Sequence, residues 1–144
     1  MKQELDQPSS LTASAMPSPG DHERIRRWLA AMEECVRKGH VEGARDLFAP
    51  DVLGFGTGTG VALGRDALEE RQWRRVWQHT RGFAFSLEQM RCFGGPDGLC
   101  VAITWESVGV RADGSTFPRS GRATLVLAGG ERLKAVHSHF SLDP

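Results

Sequence analysis

The hydrophobic period of this chain changes once, near residue 82, and that change restricts the fold more than any other feature of the sequence. Before it, apolar residues recur at helical spacing: Ile25, Trp28, Leu29, Met32 and Val36, then Val41, Ala44, Leu47 and Phe48, then Trp73, Val76 and Trp77 with Glu69 and Thr80 on the same face. After it, the period falls to two. Phe83, Phe85 and Leu87 alternate with Ala84, Ser86 and Glu88, and Leu99, Val101, Ile103 and Trp105 alternate with Cys100, Ala102, Thr104 and Glu106. Helices followed by strands, not interleaved with them, predict an α+β architecture rather than a doubly wound one.

Punctuation residues bound the elements. Asp21 is a suitable N-cap for the first helix, and Gly39 after Arg37-Lys38 suits its left-handed end. Pro50 is expected to stop a second helix over 41–48, and a short strand follows over 51–55. A third helix is expected over 65–80. Turns fall at Gly94–Gly98, Ala112–Gly114 and Gly129-Gly130, with long strands over 116–128 and 133–142. Successive hairpins imply an antiparallel sheet. Ala123, Leu125 and Leu127 share one face of the third long strand, and Arg122, Thr124 and Val126 share the other. In the closing strand Leu133 and Ala135 oppose Val136 and Phe140. Neither face is cleanly polar, so both are expected to be covered. Three helices cover one, and a second copy in a symmetric homodimer would cover the other.

At 144 residues the chain suits one domain. Residues 1–20, with Pro8, Pro17 and Pro19 and little apolar content, read as a disordered tail without the apolar core of a signal peptide, on a cytoplasmic protein; the domain spans 21–144. Lys+Arg and Asp+Glu number 18 each, and this zero net charge argues against nucleic acid as a main partner. The run Leu125-Val126-Leu127-Ala128 is far short of the roughly 20 residues a membrane span needs. Three cysteines make no disulfide scaffold, although Cys92 and Cys100 flank a hairpin turn and are candidates to lie opposite each other across the ladder. The run Gly54, Gly56, Gly58, Gly60 lacks nucleotide-loop spacing and fits a flexible loop at a pocket mouth.

His137 and His139, two apart on a strand, share a face roughly 7 Å apart. Such a pair fits general acid/base work near neutral pH, or two ligands of a metal with His79, Asp51 or Glu106 as a third, or a structural role in the sheet or an interface. Arg122, between the small residues Gly121 and Ala123, fits either a pocket anion partner or a solvated strand arginine. Glu106 and Glu88 are strand carboxylates; one of them buried in an apolar site would act as a base. Trp28, Trp73, Trp77 and Trp105 supply core or the wall of an apolar pocket.

The order of elements, together with Asp46-Leu-Phe-Ala-Pro-Asp-Val52, Phe55-Gly-Thr57, Gly64-Arg-Asp-Ala-Leu68, Arg122-Ala-Thr124 and His137-Ser-His-Phe-Ser141-Leu-Asp-Pro144, resembles the SnoaL-like branch of the nuclear-transport-factor-2-like superfamily over residues 21–144. The ending is also similar to that of the calmodulin-dependent kinase association domain. The resemblance implies three N-terminal helices packed in the concave face of a curved antiparallel sheet, a cone with an apolar pocket, and a dimer. Members of this superfamily include ketosteroid isomerases, dehydratases, polyketide cyclases and proteins without a reaction, so the fold does not specify one chemistry. The chain contains no tyrosine, which argues against the tyrosine-based isomerase mechanism. The resulting expectation is a cofactor-free, metal-free protein binding a hydrophobic or aromatic small molecule. His137, His139 and Arg122 are its candidate catalytic groups, and Trp28, Phe55, Trp73, Trp77, Trp105 and Glu106 line the pocket. The alternative is a non-catalytic binding or association module.

Overall fold

The computed structural model describes residues 16–144 apart from Thr59. The tail assigned to 1–20 therefore lies mostly outside the described residues. Its last three residues belong to the first helix and its cap. Helix α1 (Pro19–Lys38) is capped by Ser18, whose Oγ accepts from the Asp21 N–H while Asp21 Oδ2 accepts from the Ser18 N–H, both at 3.1 Å. Asp21 thus sits inside the capping box and not at the cap itself. The helix ends at Gly39 with φ 63°, as its position after two basic residues suggests. All five expected apolar positions of α1 are buried.

Helix α2 is shorter than its apolar pattern suggests: Val41–Ala44 is α-helical, Arg45–Leu47 is a 3-10 turn, and strand β1 begins at Phe48 and runs to Gly56. Pro50 therefore lies within a strand. Proline has no N–H to give to a ladder, and the pairing of β1 is irregular between Phe48 and Leu53. The glycine run is part of a hairpin, with β2 at Gly60–Leu63. The third helix starts as α3 (Arg65–Leu68), widens into a π-helical turn (Glu69–Trp73), and continues through α4 (Arg74–Val76) into a 3-10 turn (Trp77–His79).

The remaining strands are β3 (Thr80–Phe85), β4 (Arg91–Gly95), β5 (Gly98–Val110), β6 (Thr116–Ala128) and β7 (Lys134–Leu142). Leu87, expected to continue the first alternation, is exposed in a 3-10 turn between β3 and β4. The order across the curved sheet is β2-β1-β7-β6-β5-β3, with β4 also on β5. The sheet is mixed, because β1 runs parallel to β7. Hairpin logic finds only strands adjacent in sequence, and this pairing joins residues more than eighty positions apart. Cys92 pairs with Val101 and Cys100 with Phe93, so the two thiols are not opposite each other, and all three cysteines are free.

The helices lie on one face of the sheet, the inner face. Against them point Leu99, Val101, Ile103 and Trp105 of β5, Ala123, Leu125 and Leu127 of β6, and Ala135 of β7, all buried. β3 forms one edge of the sheet, and α1 ties it down: Arg37 Nε donates to the Phe83 carbonyl, and Glu33 Oε1 accepts from the Phe85 N–H, each at 2.7 Å. Among the described residues no helix is long and apolar enough to cross a membrane.

The π-helical turn is tied to the 3-10 turn after α2 through charge. Arg45 bonds Asp66 at 2.7 Å and Glu69 at 2.9 Å, and Arg74 bonds Glu69 at 2.9 Å. These guanidinium bonds, first that of Arg45, hold the Glu69 carboxyl below its usual value of 4.5. A depressed carboxylate stabilises the fold above its unfolded-state pKa, and that contribution is lost as pH falls through the lower folded value. Glu69→Gln is therefore expected to cost about 1 kcal/mol at neutral pH. In urea titrations across pH, the deficit should shrink once the pH drops below the mid-fours.

Candidate functional site

Along β5 and β6, side-chain direction alternates strictly, so every residue has a fixed face. The inner positions from the packed end outward are Leu99, Val101, Ile103, Trp105, Ser107 and Gly109 on β5, opposite Leu127, Leu125, Ala123, Gly121, Arg119 and Phe117 on β6. The first three of these pairs are packed core. From the next two pairs Trp105, Ser107 and Arg119 line a cavity between sheet and helices.

Helix α1 contributes Met32 and Val36 to this cavity, and the third helix contributes Trp73, Val76 and Trp77. The sheet contributes Phe83, Trp105 and Phe140. Trp73 is 2% exposed, stacked on Trp77 at 5.3 Å with 19° between planes and tilted against Phe48 at 4.8 Å. It therefore serves as core on one side and cavity wall on the other. Trp105 lies over its cross-strand partner Gly121: a Cβ there would sit 2.5 Å from the indole Cζ2. The Trp105 N–H donates to the Arg122 carbonyl at 3.2 Å. The cavity measures about 50 Å³. A single buried water needs roughly 10–15 Å³ and an apolar cavity that takes benzene about 150 Å³, so a ring-sized molecule fits only by reaching out through the open side of this cavity.

Polar groups in the wall are few. They are Thr57 from the turn between β1 and β2, Gln72, Thr80, Ser107 and Arg119. Thr80 Oγ1 donates to the Val76 carbonyl at 2.7 Å. Gln72 is 6% exposed beside Trp73 in the π-helical turn, and its amide lies across Gly56, where a Cβ would come within 2.0 Å of Nε2. Gly54 accommodates Leu68 in the same way. These glycines serve close helix–strand approach, and the turn beyond them brings Thr57 to the cavity. Ser107 is buried and its Oγ has no hydrogen-bond partner among the described residues. Arg119 is half-buried, and its one hydrogen bond, Nη2 to Thr57 Oγ1, is 3.4 Å long. No carboxylate among the described residues lies within ion-pair distance of it, and burial lowers its pKa from the usual arginine value.

The residues singled out from sequence separate into two groups. Trp73, Trp77 and Trp105 line the cavity. Trp28 does not: it is buried edge-on to Phe48, with its N–H donating to the Leu47 carbonyl at 2.9 Å, and it lines instead a separate cavity with Arg24, Asp46, Arg132 and Leu133. His137, His139, Arg122, Glu106 and Phe55 also do not line it, because strand parity puts them on the outer face. His137 Nδ1 lies 2.7 Å from the Leu53 carbonyl, which only accepts, so that nitrogen carries the proton. The Phe55 ring stands edge-on to both imidazoles, at 5.0 and 5.3 Å. The Arg122 side chain is 62% exposed and faces Asp143 at 3.9 Å. His79, Asp51 and Glu106 do not gather around the histidines, and among the described residues no three His, Cys, Asp or Glu side chains converge in a metal-holding arrangement. Burial pushes the Cys92 thiol up to about 11, which leaves no thiolate nucleophile at neutral pH.

A family model for the SnoaL-like domain matches residues 25–143. The chain belongs to the SnoaL-like family. Among curated proteins none matches it. Solved structures similar to this SnoaL-like chain include a proposed dehydratase of the NTF2-like family from Streptomyces avermitilis, at 18% identity and TM-score 0.74, covering 88% of this chain and 99% of that one. A ketosteroid isomerase-like protein from Erwinia carotovora atroseptica is 16% identical with TM-score 0.73, covering 85% and 96%. A proposed calcium/calmodulin dependent protein kinase II association domain from Xanthomonas campestris is 17% identical with TM-score 0.66, covering 93% and 99%. Together they establish a SnoaL-like, NTF2-like cone with an unclosed sheet, and their different descriptions leave the chemistry to be argued from the cavity.

Sequence reasoning missed Arg119, Ser107 and Gln72. The signal for the first two was present: extending the inner parity of Ala123, Leu125 and Leu127 by four residues reaches Arg119 and not Arg122. No sequence signal marks the π-helical turn in which Gln72 is buried. Trp73→Ala is expected to cost about 3 kcal/mol or more, measured by chemical denaturation, because Phe48 and Trp77 lose their partner.

Proposed function

We propose that this SnoaL-like protein binds a compact hydrophobic or aromatic small molecule in the inner cavity and is a binder rather than an acid/base catalyst. The observation that carries this reading is the composition of the cavity wall: stacked and tilted aromatic rings, a few hydroxyl and amide groups, one arginine, and no His, Asp, Glu or Lys. Such a wall matches the usual make-up of small-molecule sites. Proton transfer requires a titrating group within hydrogen-bond reach of the reacting atom, and the histidines lie on the far face of the sheet. A His137→Ala, His139→Ala double variant is therefore expected to retain ligand affinity within about twofold, by calorimetric titration; a loss of tenfold or more, about 1.4 kcal/mol, would restore the histidines to the site.

A second reading concerns the outer face, where a homodimer is proposed. Leu53 and Phe55 of β1 pair with Leu63 and Val61 of β2, and Leu63 and Val61 are 76% and 53% exposed. Apolar side chains that open, beside Phe55 and the imidazoles, suit a surface covered by a second copy. Native mass spectrometry of the purified protein tests both readings together. The expected result is a dimer carrying an added small mass, reduced to monomer by Leu63→Glu with the cargo retained. A wild-type monomer would contradict the outer-face reading, and a larger ring would favour an association module.

A further inference from the structure

Resting on that binding reading, we infer that the cavity selects organic acids: compact, single-ring or similarly sized molecules whose carboxylate is held by Arg119 and Ser107 while the ring lies among Trp73, Trp77 and Trp105. Arg119 and Ser107 are direct cross-strand partners on β6 and β5. Partners of this kind have Cβ atoms about 5 Å apart on the same face, which lets one carboxylate accept from both. The groups are unspent. Ser107 Oγ is buried without a hydrogen-bond partner among the described residues, and the guanidinium has only its long bond to Thr57.

A buried hydroxyl left unpaired and a half-buried cation without a counter-charge both cost stability, so each stands to gain from an acceptor placed between them. The position is also built for the arginine. A Cβ at Gly109 would lie 2.8 Å from Arg119 Cδ and 2.4 Å from Phe117 Cζ, so the missing side chain there gives the arginine stem its course along β5. Gln72, also buried and with no side-chain hydrogen bond among the described residues, supplies a further amide to the same space.

The charge count favours a carboxylate over a phosphate. One guanidinium neutralises one negative charge, and no second cation lines the cavity. A dianionic phosphate would keep an unpaired charge against aromatic walls, at a desolvation cost the site does not offset. A planar carboxylate also matches the two-pronged donor geometry of arginine.

The test is calorimetric titration of the full-length protein with benzoate and phenylacetate and with their neutral amides, benzamide and phenylacetamide. Each acid is expected to bind about tenfold or more tightly than its amide. In Arg119→Met that preference should disappear while the amides still bind, and in Ser107→Ala it should shrink by a few-fold. Should Arg119→Met fail to fold, Arg119→Lys keeps the charge without the fork and should weaken the acids several-fold with the amides unchanged. Equal binding of acids and amides, or a preference that survives in Arg119→Met, would overturn the organic-acid inference and leave the cavity reading standing. Binding of none of the four would overturn both.

Discussion

The long hairpin of β5 and β6 holds twelve cross-strand pairs in one register, from Leu99 with Leu127 to Val110 with Thr116. Because side chains alternate faces, a slip of one residue would turn every inner side chain outward. At the packed end, the apolar residues of both strands meet α1, and exposing them would forfeit the core. That burial pins the register for the rest of the hairpin. Further along, the same inner face carries Trp105, Ser107 and Gly109 opposite Gly121, Arg119 and Phe117. The core at one end thus aims polar groups at the other, where the helices no longer fill the space.

The third helix departs from regular geometry beside the site, at the consecutive residues Gln72 and Trp73. The π-helical turn over Glu69–Trp73 leaves both residues buried. Such turns are uncommon and recur at functional sites. Here the turn is held from outside by the Arg45, Glu69 and Arg74 cluster and received inside by Gly54 and Gly56, which lack the side chains that would collide with Leu68 and Gln72.

Much of the fold was legible in the sequence where it depends on local pattern. The five buried positions of α1, the glycine that ends it and the bounds of β6 follow directly from periodicity and turn residues. The parallel pairing of β1 with β7, the β2 strand within the glycine run and the interruption at Leu87 were not legible, because each depends on tertiary pairing that short windows do not contain. The site was half legible. Three tryptophans belong to the cavity, but bulk alone does not distinguish Trp73 from Trp28, which is as buried and lies away from this cavity. The histidine pair drew attention by residue type, while parity along β7 and the Leu53 carbonyl place it on the other face.

The central claim is that ligands enter the inner cavity and not the outer histidine face. The four indole N–H groups report on it directly, since Trp73, Trp77 and Trp105 line the cavity and Trp28 does not. The most direct measurement is a two-dimensional nitrogen–proton NMR titration of the indole signals with a small aromatic ligand. The account predicts that the Trp73, Trp77 and Trp105 signals move together while Trp28 stays in place. Movement of the His137 and His139 ring signals with all three cavity indoles unchanged would contradict it.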